Sequence, residues 1–262
     1  MLTLQNHETQ KKRRTELDML HGSLWDKILI FAIPLACTGI LQQLFNAVIR
    51  AVQQLTAFVV VSAVKVRADL GTLVVKTDKV FELVRQLRKE ITVPMVFMTY
   101  ANVVFSYGAE KFISTCAEIG IDGLILPDIP FEEKEEFLPI CRKHGVALIS
   151  LIAPTSENRI GMIAKEAEGF IYLVSSLGVT GVRSEIKTDL ASIVKTIREN
   201  TSVPCAIGFG ISTPEQAKKM SEIADGVIVG SAIVRQLEQY GKQAPEHIGS
   251  YVREMKEAIM QD

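Results

Sequence analysis

Several things this sequence has little of narrow its reading at once. It carries no excess of charge: 29 Lys and Arg face 30 Asp and Glu in 262 residues, a formal net charge of −1. That balance argues against a nucleic-acid partner, which calls for a basic stripe. Cysteine is scarce, and Cys37, Cys116, Cys141 and Cys205 fall in no C-x-x-C or metal-ligand spacing. Such scattered thiols read as reduced cysteines of a cytosolic protein. His7, His21, His144 and His247 are isolated from one another, so no metal site is expected. No cleavable signal peptide is expected either, because the N-terminus is polar and no A-x-A-like site follows its apolar run. One stretch lacks acid entirely: there is no Asp or Glu between Lys27 and Ala68.

What is present is enough apolar residue, 48%, to bury a sizeable core. From about Val93 onward the chain is regular. "VPMVFMTY", "DGLILPDIP", "ALISLIAP", "GFIYLVSS", "PCAIGFG" and "DGVIVGS" are short, near-continuous apolar runs. Continuous rather than alternating runs suit parallel strands covered on both faces. Amphipathic segments lie between them: "GAEKFISTCAEIG", "FEEKEEFLPICRKHG", "SENRIGMIAKEAEG" with Ser156 as N-cap, "TDLASIVKTIREN", and "STPEQAKKMSEIA" with Pro214 just inside a Ser/Thr cap. About six β-α units with short connections predict a parallel sheet with right-handed crossovers. An α/β fold of (β/α)8 barrel type is expected, with an open doubly wound sheet as the alternative.

The first part of the chain, residues 1–76, does not share this rhythm. A charged lead is followed by "ILIFAIPLACTGILQQLFNAVI", Ile28–Ile49, which contains no charged residue. It reads as an extra apolar helix, either long enough to span a bilayer or buried in a soluble core. Lys11, Lys12, Arg13 and Arg14 would favour a cytoplasmic N-terminus if it spans. "AFVVVSAVKV" reads as a strand and "LGTLVVK" as a weaker one; the pair could complete a barrel, and without them the apolar helix would have to plug the gap. "TDKVFELVRQLRKE" is a helix with Thr77 as cap.

The chemistry-bearing residues sit at strand ends. A phosphate needs backbone N–H donors and room, and glycine supplies both. In β/α barrels such donors gather after the last two strands, beside a helix N-terminus whose dipole favours the charge. Gly208, Phe209 and Gly210 end one strand; Gly230 and Ser231 end the next, just before a helix; Gly178, Thr180 and Gly181 lie on the preceding loop. Each glycine by itself is consistent with a tight turn, and three successive units so equipped point to a phosphate. Tyr100, Tyr172 and Phe209 either wall a flat aromatic ligand or pack the core. Asp128, in "LPDIP", either takes part in acid–base chemistry or accepts hydrogen bonds from loop amides.

"MTYANVVFSYGAEKFI", "GLILPDIPFEE", "LIAPTSENRI", "GFIYLVSSLGVTG", "GFGISTPEQ" and "DGVIVGSAIV" together resemble the alpha subunit of tryptophan synthase, from about Thr77 to the C-terminus. The resemblance implies the family's eight-stranded β/α barrel, with residues 77–262 as its body and its first two strands incomplete or irregular. It also implies a lyase that cleaves indole-3-glycerol phosphate to indole and glyceraldehyde 3-phosphate. It places the phosphate at Gly181, Gly210, Gly230 and Ser231, the indole against Tyr100, Tyr172 and Phe209, and Thr180 on a mobile loop over the site. No cofactor is implied in this chain. Pyridoxal phosphate is expected in a beta subunit that receives the indole, and so is a hetero-oligomer.

The chain departs from that family at its catalytic acids. The family carries a glutamate and an aspartate before the "MTYAN" segment, flanking a Gly-Ile-Pro-Phe-Ser-Asp-Pro type motif, and no such motif stands here. Catalytic residues are therefore unassigned. "LDMLHGSLWDKILIFAIPLACTGILQQLFNA", Leu17–Ala47, is similar instead to the first transmembrane helix of multidrug and toxin extrusion transporters. Three functions follow as expectations: a lyase of the tryptophan pathway that uses other acids or is impaired in cleavage; a catalytically dead binder of a phosphate ligand or beta subunit; or a fusion product without function, misfolded or tethered to a membrane through 28–49.

Overall fold

The computed structural model describes residues 28–34, 59–62, 77–175, 189–208 and 210–260. Its strands are β1 (Ile28–Pro34), β2 (Val59–Ser62), β3 (Met95–Met98), β4 (Gly123–Ile125), β5 (Ala147–Leu148), β6 (Ser150–Ile152), β7 (Ile171–Val174), β8 (Cys205–Gly208) and β9 (Gly226–Val229). They form one sheet in the order β5-β4-β3-β2-β1-β9-β8-β7-β6. Every pairing in it is parallel.

The two ends of that order are one piece of chain. Only Ile149 separates β5 from β6, and its N–H donates to Leu124 O at 2.9 Å. The segment thus pairs with β4 through its first half and with β7 through its second. The sheet closes on itself as a ring of eight staves, the (β/α)8 barrel expected from the sequence. Closure leaves no edge strand to recruit another chain.

The first stave corrects the reading of residues 28–49 as a helix. Residues 28–34 are a strand, paired with β2 through Phe31–Pro34 and with β9 through Ile28–Phe31. A continuous apolar run does not distinguish a buried strand from a buried or membrane helix, and here the vacant position between β2 and β9 decides for the strand. What remains of the run, 35–49, lies outside the described residues. Among the described residues no helix is long and apolar enough to span a membrane. Of the two stand-in strands, the first is present as β2, and "LGTLVVK" lies outside the described residues.

Strand parity sorts the apolar side chains into two layers. Val96, Ile125, Ile149, Phe170, Tyr172, Ala206 and Ile228 fill the barrel interior, joined by Met98, Leu151 and Val174. Their neighbours along the strands, among them Met95, Phe97, Leu124, Ile171, Leu173, Ile207 and Val227, face outward into a larger cluster under the helices. Those helices are α1 (Thr77–Leu87), α2 (Ala101–Tyr107), α3 (Ala109–Ile119), α4 (Leu138–His144), α5 (Ile160–Lys165), α6 (Leu190–Asn200), α7 (Pro214–Ser221), α8 (Ser231–Tyr240) and α9 (Ala244–Met260). Val80, Phe81, Val84 and Leu87 give α1 its buried stripe.

Two segments expected as single helices are broken. "FEEKEEFLPICRKHG" is a 3-10 turn over Phe131–Glu136 followed by α4. Pro139 explains the break, since it has no N–H to continue an upstream helix and suits the first turn of a new one. "SENRIGMIAKEAEG" likewise begins as a 3-10 turn, Pro154–Arg159, before α5. Ser156 lies within that turn and accepts a hydrogen bond from Ala153 N at 3.2 Å.

The floor of the barrel, at the N-terminal ends of the strands, repeats one device. Asp122, directly before β4, accepts from Met95 N at 2.8 Å and pairs with Arg88. Asp225, directly before β9, accepts from Cys205 N at 2.9 Å and from Arg198 at 3.0 Å. Each carboxylate thereby satisfies the first amide of the neighbouring stave and ties it to the preceding helix. Arg88 also donates to Val93 O at 2.6 Å and from Nε to Gly120 O at 2.9 Å. Asp122→Ala would remove the carboxylate from a part-buried guanidinium and leave a strand amide without its acceptor, and should lower the unfolding free energy by about 2 kcal/mol. Urea denaturation checks this; an unchanged midpoint and slope would show that the clamp contributes nothing.

Candidate functional site

The opposite rim is formed by the C-terminal ends of the same strands. There β8 ends at Gly208 and β9 at Val229, adjacent staves that pair through Ala206–Gly226 and Ile207–Val227. Gly210 follows β8 with φ +84°, a left-handed conformation that strains any residue with a Cβ. Gly230 follows β9 and is the N-cap of α8, which has no side-chain cap. The helix that follows β8 is closed differently. Thr213 Oγ1 accepts from Gln216 N at 3.3 Å, while Gln216 Oε1 accepts from Ser212 N at 2.8 Å and Thr213 N at 3.3 Å. Of the two helix starts on this side of the rim, α7 is saturated by its own chain. The first turn of α8, with Ser231 at its head, has donors and a positive dipole end without a side-chain acceptor.

Beneath this rim Tyr172 occupies the barrel interior and is 4% exposed. Its register partner is Ala206, yet a Cβ built on Gly208 would lie 2.4 Å from the Tyr172 hydroxyl. The phenol therefore leans up towards the rim, and only a glycine leaves it room. Burial holds the Tyr172 hydroxyl protonated well above its ordinary range. Of the two readings of Tyr172, ligand wall or core, its burial fits the core. Tyr100 is different. It precedes α2 and is 48% exposed.

Asp128 is an exposed carboxylate whose two oxygens accept from Ala101 N at 3.0 and 3.1 Å. It caps α2 from a distant loop, because Tyr100, the residue at the N-cap position, makes no side-chain cap bond. Of its two readings, this geometry fits the one in which it holds loop amides. Gly178, Thr180, Gly181 and Phe209 lie outside the described residues. One residue at the rim gave no sign in the sequence: Thr99, at the end of β3, is 4% exposed and its hydroxyl oxygen has no partner. An isolated threonine after an apolar strand carries no motif by which to find it. Among the described residues no group of three or more His, Cys, Asp or Glu is placed to hold a metal ion.

A family model for the tryptophan synthase alpha chain matches residues 62–260. The chain belongs to that family. It is a lyase of tryptophan biosynthesis. It is similar to the tryptophan synthase alpha chain of Lacticaseibacillus casei, 48% identical over 76% of this chain and 74% of the relative. It is 50% identical to that of Lactiplantibacillus plantarum over 70% of this chain and 69% of the relative. The solved tryptophan synthase alpha subunit of Campylobacter jejuni superposes with a TM-score of 0.70 at 31% identity, covering 88% of this chain and 95% of that one. The structural match takes in more of this alpha chain than the family model does, as expected if β1 and β2 complete the ring despite their unfamiliar sequences.

The fit of Tyr172 under Gly208 is open to a direct test. Gly208→Ala should cost about 1–3 kcal/mol by overpacking, and much less in a Tyr172→Leu background where the ring is gone. Thermal or urea unfolding of the four proteins reads this coupling; additive effects would contradict the contact.

Proposed function

We propose that this alpha chain binds indole-3-glycerol phosphate with the phosphate on Gly210, Gly230 and Ser231, joined by Gly181, and with the indole towards Tyr100, Tyr172 and Phe209 under a loop bearing Thr180. The observation that carries the reading is the pair of adjacent strand ends: a left-handed glycine after β8 and an uncapped helix start after β9. Backbone donors and a helix dipole there would stabilise a phosphate without a lysine or arginine.

Cleavage asks for more than binding. A proton must reach the indole carbon that carries the glycerol chain. A base must take the proton from the hydroxyl on the adjacent chain carbon. The carbon–carbon bond then breaks, its electrons restoring the neutral indole while the hydroxyl carbon becomes an aldehyde. Neither β1 nor β2 carries a carboxylate, and the whole interval from Lys27 to Ala68 is without one. Asp128 is bonded to the Ala101 amide. Loss of a general acid or base typically costs about 10²–10⁴-fold. Cleavage by this chain is therefore slow, while phosphate binding is retained.

A beta subunit carrying pyridoxal phosphate is the partner that would consume the indole. Its docking face would include the half-exposed Tyr100 and Phe105 beside the rim, the latter packed on Phe137 with ring centroids 4.9 Å apart. A reducing, cytosolic setting suits the buried free thiols Cys116, Cys141 and Cys205, since burial pushes Cys141 and Cys205 up to about 12 and leaves them unreactive.

Two measurements test the proposal together. Calorimetric titration with indolepropanol phosphate should give saturable one-site heat, abolished by Gly230→Asp, which sets a carboxylate against the phosphate. Indole release should run at least about 100-fold below that of the Lacticaseibacillus casei chain. Absence of binding would overturn the phosphate assignment, and turnover within about tenfold would overturn the loss of acids.

A further inference from the structure

The glycine loop after β8 is held from outside the barrel by a residue that the site itself does not include. Tyr251, on α9, donates its hydroxyl hydrogen bond to Ser212 O at 2.9 Å, spanning 39 positions of sequence. Ser212 stands two residues beyond Gly210. On its other side the same loop is gathered by Gln216, whose side-chain oxygen accepts from Ser212 N at 2.8 Å, Ser212 Oγ at 3.2 Å and Thr213 N at 3.3 Å. Gln216 fixes the loop to the start of α7, the element it leads into. Tyr251 alone among these partners ties it to a second element. The tie has a rigid base, because Ile248, Val252, Met255 and Ile259 of α9 are fully buried. Burial also raises the Tyr251 phenol well above its ordinary range, so it remains a donor throughout the physiological pH interval.

We infer that Tyr251 is a positioning residue for the phosphate cradle: by anchoring the Ser212 carbonyl to α9 it sets the orientation of the Gly210 backbone at the rim. This rests on the phosphate assignment made above. Backbone donors bind an anion well only when their directions are fixed before it arrives, since ordering a loop on binding subtracts from affinity. Tyr251 stands on α9, apart from the residues assigned to the ligand, so its effect should fall on the phosphate end alone.

The test compares wild type with Tyr251→Phe, which keeps the ring and removes the hydroxyl, using two ligands: indolepropanol phosphate and its phosphate-free alcohol. The expected result is a Kd raised about 3- to 10-fold for the phosphate ester, the worth of one hydrogen bond, with the Kd for the alcohol unchanged. Amide hydrogen exchange at Gly210–Thr213 should also quicken in the variant without ligand, with exchange in α9 unaltered. Equal weakening of both ligands would mean a general structural role and overturn the inference, as would wild-type affinity together with wild-type exchange. Wild type that binds no phosphate ester would overturn the phosphate reading and, with it, the cradle role; faster exchange in the variant would then show only that Tyr251 holds the loop.

Discussion

The structure depends on hydrogen-bond closure of a parallel ring. A parallel strand cannot stand at an open edge without exposing a row of unpaired donors and acceptors, and a barrel removes the edge altogether. Here closure is made at two joints. One is the segment around Ile149, divided between β4 and β7. The other is β1, seated between β2 and β9. If either joint opens, the staves on both sides lose their register, and register is what brings the ends of β8 and β9 to the same height. The chemistry of the rim is thus a consequence of the closure.

The two ends of the barrel divide the labour between stability and function. At the floor, Asp122 and Asp225 are spent on strand amides and arginines, a carboxylate use that fixes geometry. At the rim, polar groups are left partly unpaired: the α8 start has no side-chain cap, and the Thr99 hydroxyl has no partner. A saturated floor and an under-saturated rim are what a barrel needs if its rim is to accept a ligand without itself unfolding. The absence of acid from the first two staves then separates the halves of the site. In the proposed reading the binding groups belong to the C-terminal strands, and proton-transfer groups would belong to the first two staves, where no acid stands.

Much of this was legible in the sequence because each signal had a local cause. Apolar runs ending in glycine mark β8 and β9, and Thr213–Pro214 mark the start of α7, where the structure shows a capping box. Asp128 was recognisable as a rim acid, although only coordinates show that it caps α2 across 27 residues. The N-terminal stretch misled because an uncharged apolar run satisfies a membrane helix, a core helix and a barrel stave equally well, and the deciding fact, a vacant place between β2 and β9, is not local. The breaks before α4 and α5 are hard to read along the chain for a smaller reason: amphipathic periodicity carries through a 3-10 turn. The Tyr172–Gly208 contact and the Tyr251 anchor join residues 36 and 39 positions apart, and no pattern along the chain announces such pairs.

The proposed phosphate site depends on the convergence of the β8 and β9 ends into one anion cradle. A crystal structure of the chain with glycerol 3-phosphate examines that convergence directly. The phosphate should lie between the Gly210 backbone and the first turn of α8, within hydrogen-bond distance of the Ser231 amide. A phosphate bound elsewhere on a closed barrel, or a barrel in which the loops after β8 and β9 point apart, would contradict it.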